Sequence, residues 1–131
     1  MTSLRYLFVT LIFVNNLISR VYSQPTGFLD NLYLGNWQGV LGVTFDENGN
    51  MYAWEKTGRV YYIVDDGNTK QRELLLDISD EVGDWRDYGL IGMALDPNFT
   101  QNGRIYLSYV VDRYHLLNHD SPNYDPTRNQ Y

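Results

Sequence analysis

The sequence predicts an all-β fold, first because the chain repeats itself. The run GVLGVTFDENGNMY, from Gly39 to Tyr52, recurs in lengthened form as GLIGMALDPNFTQNGRIY, from Gly89 to Tyr106. Both runs alternate apolar and other residues, as half-buried strands do. Both also carry an Asn-Gly pair before an apolar-Tyr pair, and Asn-Gly is a strong signal for a hairpin turn.

The first copy predicts four antiparallel strands joined by tight turns. Asn48-Gly49 and Thr57-Gly58 mark two of the turns, and the letters DDGN mark a third. The predicted strands are residues 40–45, 51–54, 59–64 and 73–78. The second copy predicts two more, residues 89–95 and 104–111, after a polar connection over residues 79–88. After Asp112 the chain shows neither a strand nor a helix period, so we expect it to be irregular.

Four-stranded units that recur after 50 residues are typical of β-propeller blades. We therefore predict an incomplete propeller over residues 39–131, with a first blade at about 39–78 and the start of a second at about 89–111. This is about one and a half blades. Because a blade is covered by two neighbours, we expect the N-terminal part of a longer protein. A small β-sandwich is the alternative.

Residues 1–23 have the pattern of a secretory signal peptide. Arg5 precedes an apolar run over residues 7–14, and Val21-Tyr22-Ser23 resembles a cleavage site. The apolar run is shorter than the roughly 18 residues that a membrane span needs. We expect a secreted, extracellular protein that begins with a lead-in segment over residues 24–38. An uncleaved anchor is the alternative, because Arg20 lies close to the cleavage site.

Composition narrows the classes of partner. With 10 basic and 16 acidic residues the net charge is −6, which argues against nucleic acid and anionic membranes as partners. The chain has no cysteine, so it has no disulfide, thiolate metal site or cysteine nucleophile. Asn98-Phe99-Thr100 is a glycosylation acceptor sequence, and we expect it in a surface turn.

The second copy carries a family resemblance. The letters WRDYGLIGMALDPNF over residues 85–99, with Asn102-Gly103 and Ile105-Tyr106 after them, resemble the "GLLG-apolar-DPNF…NG…Y" signature of the soluble quinoprotein glucose/sorbosone dehydrogenase family. The first copy, with residues 46–52 and 55–60, is similar to that family's "DGxxYVxE…GRI" pattern. The resemblance covers residues 39–111.

The resemblance implies a six-bladed propeller that holds pyrroloquinoline quinone (PQQ) beside calcium. It implies that sugars or alcohols are oxidised by hydride transfer to the quinone, assisted by a histidine base. We expect the base histidine and most of that pocket in blades beyond Tyr131, so we assign no catalytic residue here and expect no activity from these residues alone. Asp87 occupies the family's polar position two residues before the glycine, which the resemblance places near the cofactor or its base, so Asp87 and its neighbour Arg86 are candidate cofactor-binding residues. The alternative is a solvated loop acid, or one paired with Arg86.

Other polar residues are weaker candidates. His115 and His119 do not match the context of the family's base, so we interpret both as surface-loop residues. A metal site formed with Asp120 would need a helix there, and the sequence predicts none. Asp46 begins a run that resembles a calcium loop, but Met51 stands where such a loop needs glycine, so we predict a hairpin turn.

A second function is compatible with the same residues. Hedgehog-interacting-protein-like molecules resemble the same family and are extracellular binding propellers without catalysis. Fold alone does not separate an enzyme from a binding protein.

Overall fold

The regular structure is almost entirely β. A computed structural model of the chain describes residues 25–128, and the predicted signal peptide over residues 1–23 lies outside them. The elements in chain order are β1 (Val40–Phe45), β2 (Met51–Glu55), β3 (Arg59–Asp65), β4 (Lys70–Asp77), β5 (Leu90–Leu95), α1 (Phe99–Asn102), β6 (Ile105–Tyr109) and α2 (Arg113–Asn118). The prediction of an all-β, antiparallel fold is confirmed.

The chain divides into two compact units, Met1–Leu32 and Tyr33–Tyr131. In the described part of the first unit, the Phe28 amide donates to the Pro25 carbonyl at 3.1 Å and closes a turn. The second unit contains both sheets. No strand or helix occurs among residues 33–39, the part of this unit that precedes β1.

The first sheet has the strand order β1-β2-β3-β4, and each neighbouring pair is antiparallel. The second sheet pairs β5 with β6. All six predicted strands are present, but β4 begins at Lys70 rather than at residue 73, and β6 ends at Tyr109 rather than at residue 111. Among the described residues no helix is long and apolar enough to cross a membrane.

The repeated Gly-apolar-apolar-Gly pattern corresponds to a β-bulge. The register of β1 shifts between Val40 and Gly42, and that of β5 shifts between Leu90 and Gly92. A bulge places an extra residue on one strand and turns the chain locally. Each bulge follows a glycine with positive φ, 79° before β1 and 130° before β5, which favours glycine over residues with a Cβ atom.

The two short helices were not predicted. The absence of helical structure after Asp112 was a wrong expectation, since α2 covers residues 113–118. The Asp112 carboxylate accepts hydrogen bonds from the amides of Tyr114 and His115, at 2.8 and 3.0 Å. Such an N-cap stabilises a helix that is too short for its sequence to show a period.

The core lies between the two sheets. Trp54, Val60 and Leu90 are buried together, and half-buried apolar residues surround them: Leu76, Met93, Leu107 and Tyr109. The outer apolar positions remain exposed, with Val43 at 52%, Phe45 at 58% and Leu74 at 55% of their surface accessible. Two sheets that share a core and still present apolar faces are consistent with parts of a β-propeller.

Candidate functional site

The candidate site is the turn Trp85–Tyr88, which ends the connection between the sheets. The Tyr88 amide donates to the Trp85 carbonyl at 3.0 Å, so the four residues form a closed turn. Arg86 occupies its second position with φ of 51°. This left-handed conformation is uncommon for a residue other than glycine.

Backbone hydrogen bonds fix the chain on both sides of this turn. Before it, the Gly83 amide donates to the Val110 carbonyl at 2.8 Å. After it, the Leu90 amide donates to the Lys56 carbonyl at 2.9 Å. The Lys56 ammonium group also donates to the Arg86 carbonyl. The turn therefore projects from a fixed base at the end where β5 begins.

The side chains of the turn are accessible and chemically complementary. Trp85 and Tyr88 are 40% and 50% exposed, with their ring centroids 6.3 Å apart. The Arg86 guanidinium lies over the Trp85 ring, 4.2 Å from its centroid. Stacked aromatic and guanidinium groups bind flat or anionic molecules, and aromatic faces also bind sugar rings.

Asp87 lies exposed on the same turn. Within residues 25–128 its carboxylate makes no ion pair, because the neighbouring Arg86 guanidinium contacts Trp85 instead. The alternative in which Asp87 pairs with Arg86 is therefore not the arrangement seen. A carboxylate in this state can accept a hydrogen bond from a hydroxyl or an imidazole.

The glucose/sorbosone dehydrogenase family model matches residues 38–120, which include both sheets and the Trp85–Tyr88 turn. The chain belongs to the glucose/sorbosone dehydrogenase family. No curated protein and no solved structure shows significant similarity to it. Members of this family normally use PQQ and calcium and act on sugars.

The turn fits one of the two family cofactors. PQQ is flat and carries carboxylates, and Arg86 with Trp85 and Tyr88 offers a cation and two aromatic faces. For calcium, residues 25–128 contain no group of three or more histidine, aspartate or glutamate side chains that could hold a metal ion.

Asn98 lies at the opposite end of β5 from the turn. It is exposed, it is the N-cap residue of α1, and its side chain makes no capping hydrogen bond. The exposed side-chain amide of Asn98 is accessible to modification. Glycosylation at Asn98 stays a prediction.

His115 and His119 lie on α2 and at its end, rather than in an irregular loop as the sequence predicted. Their rings stack at 5.1 Å. The His115 ring nitrogens lie 2.9 Å from the Tyr124 hydroxyl and 3.6 Å from a Glu81 oxygen, whereas His119 lies 3.3 Å from Asp120. These contacts attach α2 to neighbouring segments, and no metal-binding group forms around them among the described residues.

The hairpin interpretation of Asp46 is confirmed. Its carboxylate accepts from the amides of Asn48 and Asn50, each at 2.9 Å, and from the Tyr52 hydroxyl at 3.2 Å. The Asn50 side chain adds a bond at 2.8 Å. These donors, the Asn50 side chain above all, hold the pKa of Asp46 below its ordinary value of 3.8.

Sequence reasoning missed Lys56 and Glu55. Glu55 is 1% exposed and accepts from the Gln38 amide at 2.7 Å and the Tyr61 hydroxyl at 3.2 Å. Both residues belong to the stretch that resembles the family's first-blade pattern. That pattern was the available signal, but the order of letters does not show which segment each side chain meets.

Proposed function

We propose that this chain contributes the Trp85–Tyr88 turn to the site of a quinone-dependent sugar dehydrogenase. The observation that carries the proposal is the family match over residues 38–120, with the exposed turn inside it. When bound, the quinone supplies the hydride acceptor for oxidation of a sugar or alcohol. The chain binds and orients the quinone and the sugar.

The residues of the turn have separate roles in this proposal. The Arg86 guanidinium binds a carboxylate of the cofactor, and Trp85 packs against a flat ring. The Asp87 carboxylate accepts a hydrogen bond from a sugar hydroxyl, or orients the imidazole of a base supplied by another part of the protein. Asp87 is free to do so because it makes no ion pair within residues 25–128.

We also propose that the two sheets belong to a six-bladed propeller of a secreted glycoprotein. The exposed apolar residues Val43 and Phe45 on β1, and Leu74 and Leu75 on β4, support neighbouring blades on these faces. The signal-like residues 1–23 support export, and the exposed Asn98 supports glycosylation.

The test is turnover by the complete purified protein. Reduction of an artificial electron acceptor is measured with PQQ, calcium and a panel of aldoses and sugar alcohols, with and without the quinone. The proposal expects turnover of at least one sugar that depends on PQQ. Absence of turnover with the whole panel, when PQQ binding has been shown by its absorbance, contradicts it.

A non-catalytic extracellular binding propeller is the second candidate. It is favoured by the composition of the exposed turn, since Trp, Tyr and Arg dominate the centres of protein interfaces. A protein that neither binds PQQ nor oxidises any sugar, but loses a protein partner when Trp85 is changed to Ala, would support this candidate.

A further inference from the structure

We infer that Lys56 is a positioning residue that holds the Trp85–Tyr88 turn in place. The inference rests on the proposed function for the part that concerns Asp87. Lys56 lies in the turn between β2 and β3, far from Asp87 in sequence, and no sequence motif assigns it a role. It acts on the turn through the Arg86 carbonyl.

Lys56 is the meeting point of three separate segments. Its amide donates to the Gly39 carbonyl at 2.9 Å, just before β1. Its carbonyl accepts from the Leu90 amide at 2.9 Å, at the start of β5. Its ammonium group donates to the Arg86 carbonyl within the turn. One residue thus links the first strands of both sheets to the candidate site.

The backbone of Arg86 explains why the turn needs such a contact. With φ of 51°, Arg86 is in a conformation that residues with a Cβ atom rarely adopt unless their surroundings hold them. A hydrogen bond from an ammonium group is stronger than one between neutral groups. The Lys56 bond therefore favours the backbone conformation that presents Asp87, the next residue.

Gly89 allows the chain to pass this close to Lys56. A Cβ atom on Gly89 would lie 2.6 Å from the Lys56 Cγ atom and 2.6 Å from its carbonyl oxygen. Gly39 is less crowded, since a Cβ atom there would lie 3.7 Å from the Lys56 Cβ atom. The glycine that opens the second repeated motif thus makes room for the lysine that holds the turn.

The test measures hydrogen exchange in the complete protein at the Tyr88 amide, which closes the turn by donating to the Trp85 carbonyl. Lys56→Met keeps the apolar stem and removes the ammonium group. We expect exchange at this amide to become about tenfold faster or more, the effect of losing one hydrogen bond to a charged group. Lys56→Arg keeps a cationic donor and should restore most of the protection.

Two controls separate local positioning from general stability. Lys70→Met removes the same charge at a surface pair with Asp65, 3.5 Å apart, and should leave the turn unchanged. The Ala53 amide, in the middle of β2, should exchange equally slowly in all variants. Unchanged exchange at Tyr88 in Lys56→Met overturns the inference, and so does an equal acceleration at Ala53.

Turnover provides a second measurement. If Lys56 acts through Asp87, the Lys56→Met/Asp87→Asn double variant should have the same kcat as Asp87→Asn alone, whereas independent effects would multiply. Multiplying effects overturn the role of Lys56 toward Asp87. If the wild-type protein has no turnover, the proposed function fails, and the exchange measurement still decides whether Lys56 holds the turn.

Discussion

The hairpins β1–β2 and β5–β6 carry the same sequence motif and differ in what covers them. In each, an aspartate at the end of the first strand accepts from the tyrosine hydroxyl of the returning strand. The Asp46–Tyr52 bond is 3.2 Å long and the Asp96–Tyr106 bond 2.7 Å. An asparagine side chain binds each carboxylate as well. The repeated Asp, Asn and Tyr letters therefore specify one hydrogen-bonded closure of a hairpin.

The closure tolerates a longer connection. The aspartate and tyrosine are 6 residues apart in the first hairpin and 10 apart in the second, where the additional residues form α1. Gly103 ends α1 in the left-handed conformation with φ of 63°, and its amide bonds back to the Phe99 carbonyl. The insertion thus forms a compact helical turn and leaves the Asp96 bonds in place.

The insertion also contributes to the difference in burial. Phe99 of α1 packs edge-on against Tyr52, with ring centroids 5.3 Å apart. The Tyr62 ring of β3 also packs against Tyr52, with centroids 5.5 Å apart. Tyr52 is 7% exposed, whereas Tyr106 at the equivalent position is 56% exposed. The motif therefore specifies each hairpin, and the residues packed against the hairpin determine how much its tyrosine stabilises the fold.

The largest expected difference follows from these tyrosines. Tyr52→Ala should lower the free energy of unfolding by about 3 kcal/mol, because it leaves a cavity beside Phe99 and Tyr62. Tyr106→Ala should lower the free energy of unfolding by less than about 1 kcal/mol, because substitutions of exposed residues usually have small effects. Urea unfolding followed by tryptophan fluorescence gives both values. Equal losses would show that burial is not what separates the hairpins.

The bulge glycines give the next largest effect. A Cβ atom on Gly42 would lie 2.3 Å from the Trp54 ring, whereas one on Gly92 would lie 3.6 Å from the Ser108 Cβ atom. Gly42→Ala should therefore cost about 1–3 kcal/mol of stability through overpacking. Gly92→Ala should change it by about 0.5 kcal/mol or less. If Gly92→Ala proved the more harmful, the packing difference between the hairpins would be contradicted.

The smallest expected effect concerns acid. Hydrogen bonds lower the pKa of both closing carboxylates, that of Asp46 chiefly through the Asn50 side chain and that of Asp96 chiefly through the Asn98 amide. A carboxyl group whose pKa is lowered by folding stabilises the protein when the pH is above 3.8, the ordinary pKa of the group. That contribution is lost as the pH falls through the lower, folded value.

The measurement is the urea midpoint between pH 6 and about pH 3. The midpoint of the wild-type protein should fall most steeply below about pH 4, and Asp46→Asn or Asp96→Asn should each flatten this fall. Both groups are at the surface, so the two variants should behave alike despite the difference in tyrosine burial. A wild-type curve that stays flat to pH 3 would contradict the closure as described.

Local sequence patterns made the strands predictable, but they did not reveal the contacts between residues far apart in the sequence. Asn48-Gly49 and the alternation in β1 depend on neighbouring residues, so the sequence alone shows the first hairpin. α2 depends on a single cap at Asp112 and has only 6 residues, too few for a period. The family resemblance led to Asp87, but the bond from Lys56 to Arg86 joins residues 30 positions apart. Only the folded chain shows such a contact.

The most direct test of the functional account compares two carboxylates that flank β5. Asp87 precedes the strand at the candidate site, and Asp96 follows it at the hairpin closure. Turnover of the complete protein with PQQ, calcium and its best sugar is measured for Asp87→Asn and Asp96→Asn. We predict that Asp87→Asn lowers kcat about a hundredfold, the effect of about 2–4 kcal/mol lost at a reacting group, and that Asp96→Asn leaves it within about twofold. Equal kcat values in the two variants would contradict the placement of the site at the Trp85–Tyr88 turn.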